Sequence, residues 1–330
     1  MENGFSNRNT HNRAALVGDI GGTNCRLGIM SSTGEIVKRA ESISSQSLTL
    51  EGLLERMEQL YVDFRMHFES TYSFVGVSLA VAGLVNQDVG VVEASPHLKH
   101  WAGVSFLGML GDKFPGVHCI ENDATAATFA EFRLGAGIGA KNMVYVSIGT
   151  GVGGGLIVDG SLYRGSGGFA GEIGHMYGGS QILCSCGKYG CLEAMNSGSG
   201  IKNRISRGEF EGAGIPGTWE LSQYIGGDVK SGDNSRSELI RDVGKNIGIG
   251  LGSVVNILNP DTLIIGGGVM SALGNKLLNP IMTSLRSAAF YEVTRDLRVS
   301  TGSLGDDGGM LGAGLLLFER VSESSDFASR

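Results

Sequence analysis

Apolar runs broken by glycine-rich turns set the pattern of this chain. Residues 15–29 (ALVGDIGGTNCRLGI) and 144–158 (VYVSIGTGVGGGLIV) each show an apolar run, a turn of glycines with a threonine, and a second apolar run. The turn leads into another strand-like run and not into a helical repeat, so each unit predicts a β-hairpin. Two hairpins of one design imply an internal duplication, with two lobes whose glycine turns line a shared cleft. Elsewhere the pattern predicts a strand over 74–80 that ends at Ala82-Gly83. A short strand over 118–120 runs through Glu121-Asn122-Asp123 into a helix of about ten residues, stopped near Gly135. A long apolar helix over 237–258 ends at Asn259-Pro260, and a buried strand over 262–265 runs into glycines 266–268. A last helix starts near Gly309. Strands alternating with helices around mixed sheets make this an α/β protein.

Composition narrows the classes. With 330 residues the chain can form two domains with ample cores. Its 55 glycines cluster after apolar runs, as in tight turns and phosphate loops and unlike a linker. A net charge of −7 and a pI near 5.4 speak against general nucleic-acid binding, which needs a basic footprint. Backbone N–H groups can still hold an anion. No apolar segment has the length of a membrane span, and the polar first residues lack a secretory apolar core. A cytoplasmic protein is expected, with polar tails at 1–13 and 323–330.

The window 171–193 (GEIGHMYGGSQILCSCGKYGCLE) concentrates the soft ligands. Cys184, Cys186 and Cys191 with His175 match a Cys₃His zinc set, and structural zinc takes four such ligands in a tetrahedron. Glu172 and Glu193 are harder ligands and stay available for a polar substrate. A disulfide among the cysteines is the plainer reading, but nothing else suggests an oxidising compartment.

Residues 149–154 formally contain G-x-G-x-x-G, yet the dinucleotide fingerprint must open a helix, and here a strand follows. Instead Gly21-Gly22-Thr23-Asn24 and Gly149-Thr150-Gly151 can bring N–H groups against a polyphosphate from both lobes, helped by Gly267 and Gly268. Asp19, ending the first strand, suits a Mg²⁺ beside such phosphates. Purely structural hairpin turns are the alternative. Asp123 is either a general base at a helix start or only an N-cap.

Together DIGGTN (19–24), END (121–123), IGTGVGGG (148–155), GEIGH (171–175), CSCGKYGCLE (184–193) and IIGGGV (264–269) resemble the ROK family of sugar kinases. That family lies within the superfamily of actin, hexokinase and the heat-shock-70 ATPase. The resemblance covers nearly the whole chain and is closest to the glucokinase and N-acyl-hexosamine kinase branches. It implies a two-lobed actin-like ATPase fold (ribonuclease H-like), with duplicated mixed sheets flanked by helices and an interlobe cleft. The small lobe would be 14–120 plus 310–322, and the large lobe 121–309 with the zinc loop. Asp123 becomes the general base, and Asn122, Glu172, His175 and Glu193 hydrogen-bond the sugar, with Gly83 and His97 near its C2 side. His175 also ligates structural zinc, alongside Cys184, Cys186 and Cys191. ATP, Mg²⁺ and a hexose, glucose first, are the implied ligands, and a homodimer or homotetramer the implied assembly.

Two departures bear on the sugar. Ala82-Gly83 stands where many members have Pro-Gly, and His97 precedes Leu98-Lys99-His100-Trp101 where many have Asn; His97 and His100 could equally be solvated loop residues. A sugar-responsive regulator of the same family would carry a helix-turn-helix domain before the first glycine motif, where only eighteen residues precede Asp19. A zinc-stabilised sugar binder without catalysis is the third reading.

Overall fold

The computed structural model describes residues 12–96, 98–209 and 234–327. Both expected hairpins are present. β1 (Asn12–Ile20) and β2 (Asn24–Ser31) pair antiparallel with Asp19 opposite Arg26. β3 (Ile36–Arg39) and β4 (Ile43–Ser44) both pair with β2. β5 (Tyr72–Val81) lies parallel to β1. β6 (Leu84–Asn86) and β7 (Val91–Ala94) form a small separate hairpin, and β8 (Val117–Asn122) lies parallel to β5. In the second sheet β9 (Met143–Ile148), β10 (Val152–Val158) and β11 (Ser161–Tyr163) form an antiparallel meander. β12 (Thr262–Gly266) and β13 (Arg298–Thr301) extend it in parallel. The orders β3-β2-β1-β5-β8 and β11-β10-β9-β12-β13 are the same order, so the duplication is present at the level of whole sheets.

Period-two alternation explains how each sheet is covered on two faces. From β1, Ala14, Leu16 and Ile20 point into one core with Leu53, Met57, Leu60 and Phe64 of α1 (Leu50–His67), while Ala15 and Val17 point to the other with Met310, Leu317 and Phe318. From β9, Val144, Val146 and Ile148 meet Leu239, Val243, Ile247 and Leu251 of the long helix Asn234–Leu258. Met143 and Tyr145 face the opposite way, toward Phe129 of α2 (Asp123–Leu134). Burying one such Leu or Phe contributes about 2 kcal/mol, so each face is held by many modest terms.

α2 and the closing helix Gly308–Phe327 pack on each other between the sheets. Each follows the last strand of its sheet, β8 and β13. They meet through bare backbone: a Cβ at Gly312 would collide with the carbonyl of Ala126. The long helix uses the same device, since Gly244, Gly248 and Gly252, one turn apart, lie against Pro280, Ile281 and Ala288 of the helix Asn275–Ala288.

Two elements reach into the spans expected as polar tails. β1 already begins at Asn12, and the closing helix reaches Phe327 because neither glycine nor proline interrupts the chain after Gly314. Among the described residues no helix is long and apolar enough to cross a membrane.

Candidate active site

A cleft of about 1330 Å³ opens between the sheets, walled by strand ends and the turns that follow them. Asp123 lies where β8 gives way to α2. The cap itself is Asn122, whose Oδ1 accepts from the Thr125 N–H at 2.9 Å, so the capping role weighed for Asp123 belongs to its neighbour. Asn122 Nδ2 donates to the Gly83 carbonyl at 2.9 Å and to Asp123 Oδ1 at 3.2 Å. Asp123 Oδ1 also accepts from the Ala124 N–H at 2.9 Å. The carboxylate is thus aimed by a helix start that favours its negative charge. Gly83 has φ 137°, and a Cβ there would press on the Ala94 carbonyl at 2.5 Å.

Facing Asp123 are the acids of the cysteine-rich segment. Glu193 is buried; Oε2 accepts from the Val152 N–H at 2.8 Å and Oε1 from Ser185 Oγ at 3.2 Å. It therefore ties the loop to β10 as well as lining the cleft. Glu172 keeps 40% of its side chain exposed toward the cleft, with Oε2 3.7 Å from His175 Nε2. Shielding by the cleft walls, and then the charges of Asp123 and Glu193, push its carboxyl up to about 7. The carboxylates thus feel one another across a shared space. Ligands offering hydroxyl donors suit it.

His175, Cys184, Cys186 and Cys191 bring four ligand atoms within 4.8 Å of one another. Cys186 Sγ to Cys191 Sγ is 3.7 Å, and Cys184 Sγ to His175 Nδ1 is 3.8 Å. A tetrahedron with Zn–S bonds of about 2.3 Å has edges of about 3.8 Å, so these two separations match its edges and the set is compatible with structural zinc. All five cysteines are free thiols, which corrects the plainer disulfide reading: the sulfurs are placed for a metal and not bonded in pairs. With Nδ1 on the metal side, Nε2 is left toward Glu172 and the cleft.

The glycine turns form the opposite wall. Asp19, Gly21, Gly22, Thr23 and Asn24 line it from the first hairpin, Gly149, Thr150 and Gly151 from the second, and Gly267 and Gly268 from the segment after β12. Thr23 Oγ1 and Thr150 Oγ1 lie 2.9 Å apart, closing the two turns on each other. Gly267 has φ 90°, and a Cβ there would meet the backbone of Ile148 at 2.5 Å. Burial, reinforced by the Asp123 charge and opposed by Arg26, pushes the Asp19 carboxyl up to about 7. Such an under-compensated acid beside glycine N–H groups suits a divalent cation shared with phosphate. A Cβ at Gly309 would strike the Asp19 carboxylate, so the closing helix also begins against this acid.

His97 lies outside the described residues. The cleft gathers every other residue expected to touch sugar or nucleotide, and adds some with no forecast role: Arg26, Tyr145, Ser147, Lys202, Gly305 and Asp306. Arg26 donates from Nη2 to Asp306 Oδ2 at 2.7 Å, and its Nη1 stands 4.0 Å from Asp19. Ser147 occupies in β9 the place Asp19 holds in β1, a correspondence readable from the two hairpin motifs. Arg26 and Asp306 are far apart in the chain and left no such signal.

The family model for the ROK family matches residues 16–320. A glucokinase from Halalkalibacterium halodurans is 30% identical over 312 residues, 91% of this chain and 93% of that protein. A xylose repressor from Bacillus subtilis is 28% identical over 80% of this chain and 68% of its own length. The crystal structure of a ROK family glucokinase from Streptomyces griseus, in complex with glucose and AMPPNP, superposes with a TM-score of 0.76 at 26% identity, covering 93% of this chain and 99% of that one. The motif resemblance is borne out across both sheets and the cleft between them, and this chain belongs to the ROK family.

Proposed function

We propose that the chain is a sugar kinase that transfers the γ-phosphate of ATP to the 6-hydroxyl of a hexose. Glucose is the first acceptor to test, N-acetylmannosamine or N-acetylglucosamine the next, and fructose after them. The observation that carries this reading is Asp123 at a helix start between a glycine-turn wall and an acid-and-imidazole wall. A wall of glycine N–H groups suits phosphates, and the other suits vicinal hydroxyls.

Asp123 accepts the proton of the attacking hydroxyl as that oxygen bonds to the γ-phosphorus and the bond to the β-phosphate oxygen breaks, releasing ADP. Glu172, Glu193 and His175 Nε2 hold the other hydroxyls so that the reactive one faces Asp123. Asn122 acts through its cap and its bond to Gly83, orienting Asp123. Phosphoryl transfer depends on alignment and charge neutralisation more than on covalent help, so this machinery suffices. Asp19 would hold Mg²⁺, which neutralises phosphate charge when bound. His175, Cys184, Cys186 and Cys191 would hold zinc, which fixes the loop carrying the sugar ligands and leaves no open position for water. The lobes, 14–120 with 310–322 and 121–309, close over the sugar and exclude water that would hydrolyse ATP.

Coupled detection of ADP release over a panel of hexoses, amino sugars and xylose tests the reading. Stimulation by one hexose or amino sugar supports it; a flat response to all of them overturns it. The repressor relative favours a second reading, a sugar-responsive binder. Saturable sugar binding with no ADP release would select that one.

A further inference from the structure

α2 carries a second buried acid, Glu131, that no step above uses; it is only 2% exposed. Oε1 accepts from the Ser303 N–H at 2.7 Å and the Leu304 N–H at 2.9 Å. Oε2 accepts from the Ala136 N–H at 2.8 Å and from Ser303 Oγ at 3.1 Å. Each partner is a backbone N–H or a hydroxyl, and bonds of this kind to a carboxylate are stronger than neutral ones. Glycines make the room: a Cβ at Gly135 would overlap Oε2, and one at Gly302 would come within 3.0 Å of Oε1.

The stretch that Glu131 holds leads directly into the cleft. Gly305 and Asp306 line the wall, Asp306 engages Arg26, and Gly309 abuts Asp19. This is the glycine-turn side, away from Glu172, His175 and Glu193. Asp123 opens the same helix eight residues earlier, about 12 Å along its axis. One rigid rod therefore carries the proton acceptor at one end and the clamp on residues 303–304 at the other.

We propose that Glu131 is a positioning residue for the nucleoside triphosphate: by gathering the Ser303 and Leu304 N–H groups it sets Gly305 and Asp306 against the phosphates at a fixed distance from Asp123. The proposal rests on the kinase reading. Glu131 touches no substrate, and its effect runs through the loop.

Steady-state kinetics of Glu131→Gln, followed by ADP release, test it. The amide sets N–H against N–H on one side, freeing the loop, so KM for Mg-ATP rises about tenfold while the sugar KM stays within about twofold. Ser303→Ala removes only the hydroxyl contact and raises the same constant about threefold; it decides the matter should Glu131→Gln fail to fold. Hydrogen exchange at the Ser303 and Leu304 amides, read without any substrate, speeds at least about tenfold in Glu131→Gln. An unmoved nucleotide KM in a folded variant, equal shifts in both KM values, or unchanged exchange overturns the proposal while leaving the kinase intact. Wild-type protein that releases no ADP with any sugar overturns the kinase reading, and this proposal with it.

Discussion

The two halves of the molecule share a strand order and a final helix but not their acids. β1 carries Asp19 as its penultimate residue where β9 carries Ser147. β8 runs into Asp123 at the head of α2, while β13 leads through Asp306 and Asp307 to Gly308 and Gly309 at the head of the closing helix. The shared parts supply two facing glycine turns, which a chain of repeated phosphates can use from both sides. The unshared parts set acids on both walls of the cleft, Asp19 beside the glycine turns and Glu172 and Glu193 opposite, with Asp123 between them. Duplication builds the cradle, and divergence at a few strand ends makes its two halves chemically unlike.

The largest break in this asymmetry is Asp123→Asn. The cap and the N–H contacts survive, but the carboxylate proposed as proton acceptor is gone, so kcat falls about 10³-fold with both KM values within a few-fold. Stopped-time ADP measurements at saturating sugar and Mg-ATP check this.

Asp19→Asn makes the first hairpin more like the second. Turnover falls about 10²-fold and is not restored by raising Mg²⁺. Stability moves the other way. In the fold the Asp19 carboxyl sits near 7 against a reference of 3.8, through burial and the charges of Asp123, Asp306 and Asp307, partly offset by Arg26. The folded state therefore binds this proton more tightly. The resulting stabilisation is full below about pH 4 and is lost as pH rises through 7, at most about 4 kcal/mol. Without ligands, the wild type should melt lower at pH 8 than at pH 5. Asp19→Asn should gain several degrees at pH 8 and less than half as much at pH 5. A variant that melts no higher than wild type at pH 8 would contradict this account.

A smaller effect separates the zinc-type loop from the glycine turns. Cys186→Ser, or stripping metal with a strong chelator, raises the sugar KM about tenfold and lowers the melting temperature, with the Mg-ATP KM unchanged within about twofold. Metal analysis beside the kinetics shows whether loss of ion and loss of sugar affinity coincide. Smallest is Thr150→Val, which removes the 2.9 Å contact with Thr23 between the turns. It changes the Mg-ATP KM about threefold and leaves sugar binding alone.

Legibility in the sequence follows the range of the interactions. Hairpin β1–β2 and hairpin β9–β10 were readable because a glycine turn and its two flanking runs lie within fifteen residues. The cysteine cluster was readable for the same reason. α1 went unexpected: Leu53, Met57, Leu60 and Phe64 stand at helical spacing after the Thr49 cap, but no glycine motif pointed to it. Which strand neighbours β1 is a different kind of information: pairing with β5, and then β8, depends on tertiary closure. The same holds for Arg26 with Asp306 and for Glu131 with Ser303, whose partners are met only when the closing helix docks. Asn122 shows the limit within a motif. It lines the cleft, but which of END's members caps the helix is a matter of φ and ψ at that corner.

The contact of Gly312 on Ala126 carries a mechanical consequence. At this one crossing backbone rests on backbone, while around it Ala127, Phe129 and Ala130 of α2 pack with Met310, Leu311 and Leu315 of the closing helix, so the spacing of the two central helices is set by main-chain atoms. A methyl or larger group at 312 would wedge the helices apart and shift every strand end that depends on their spacing.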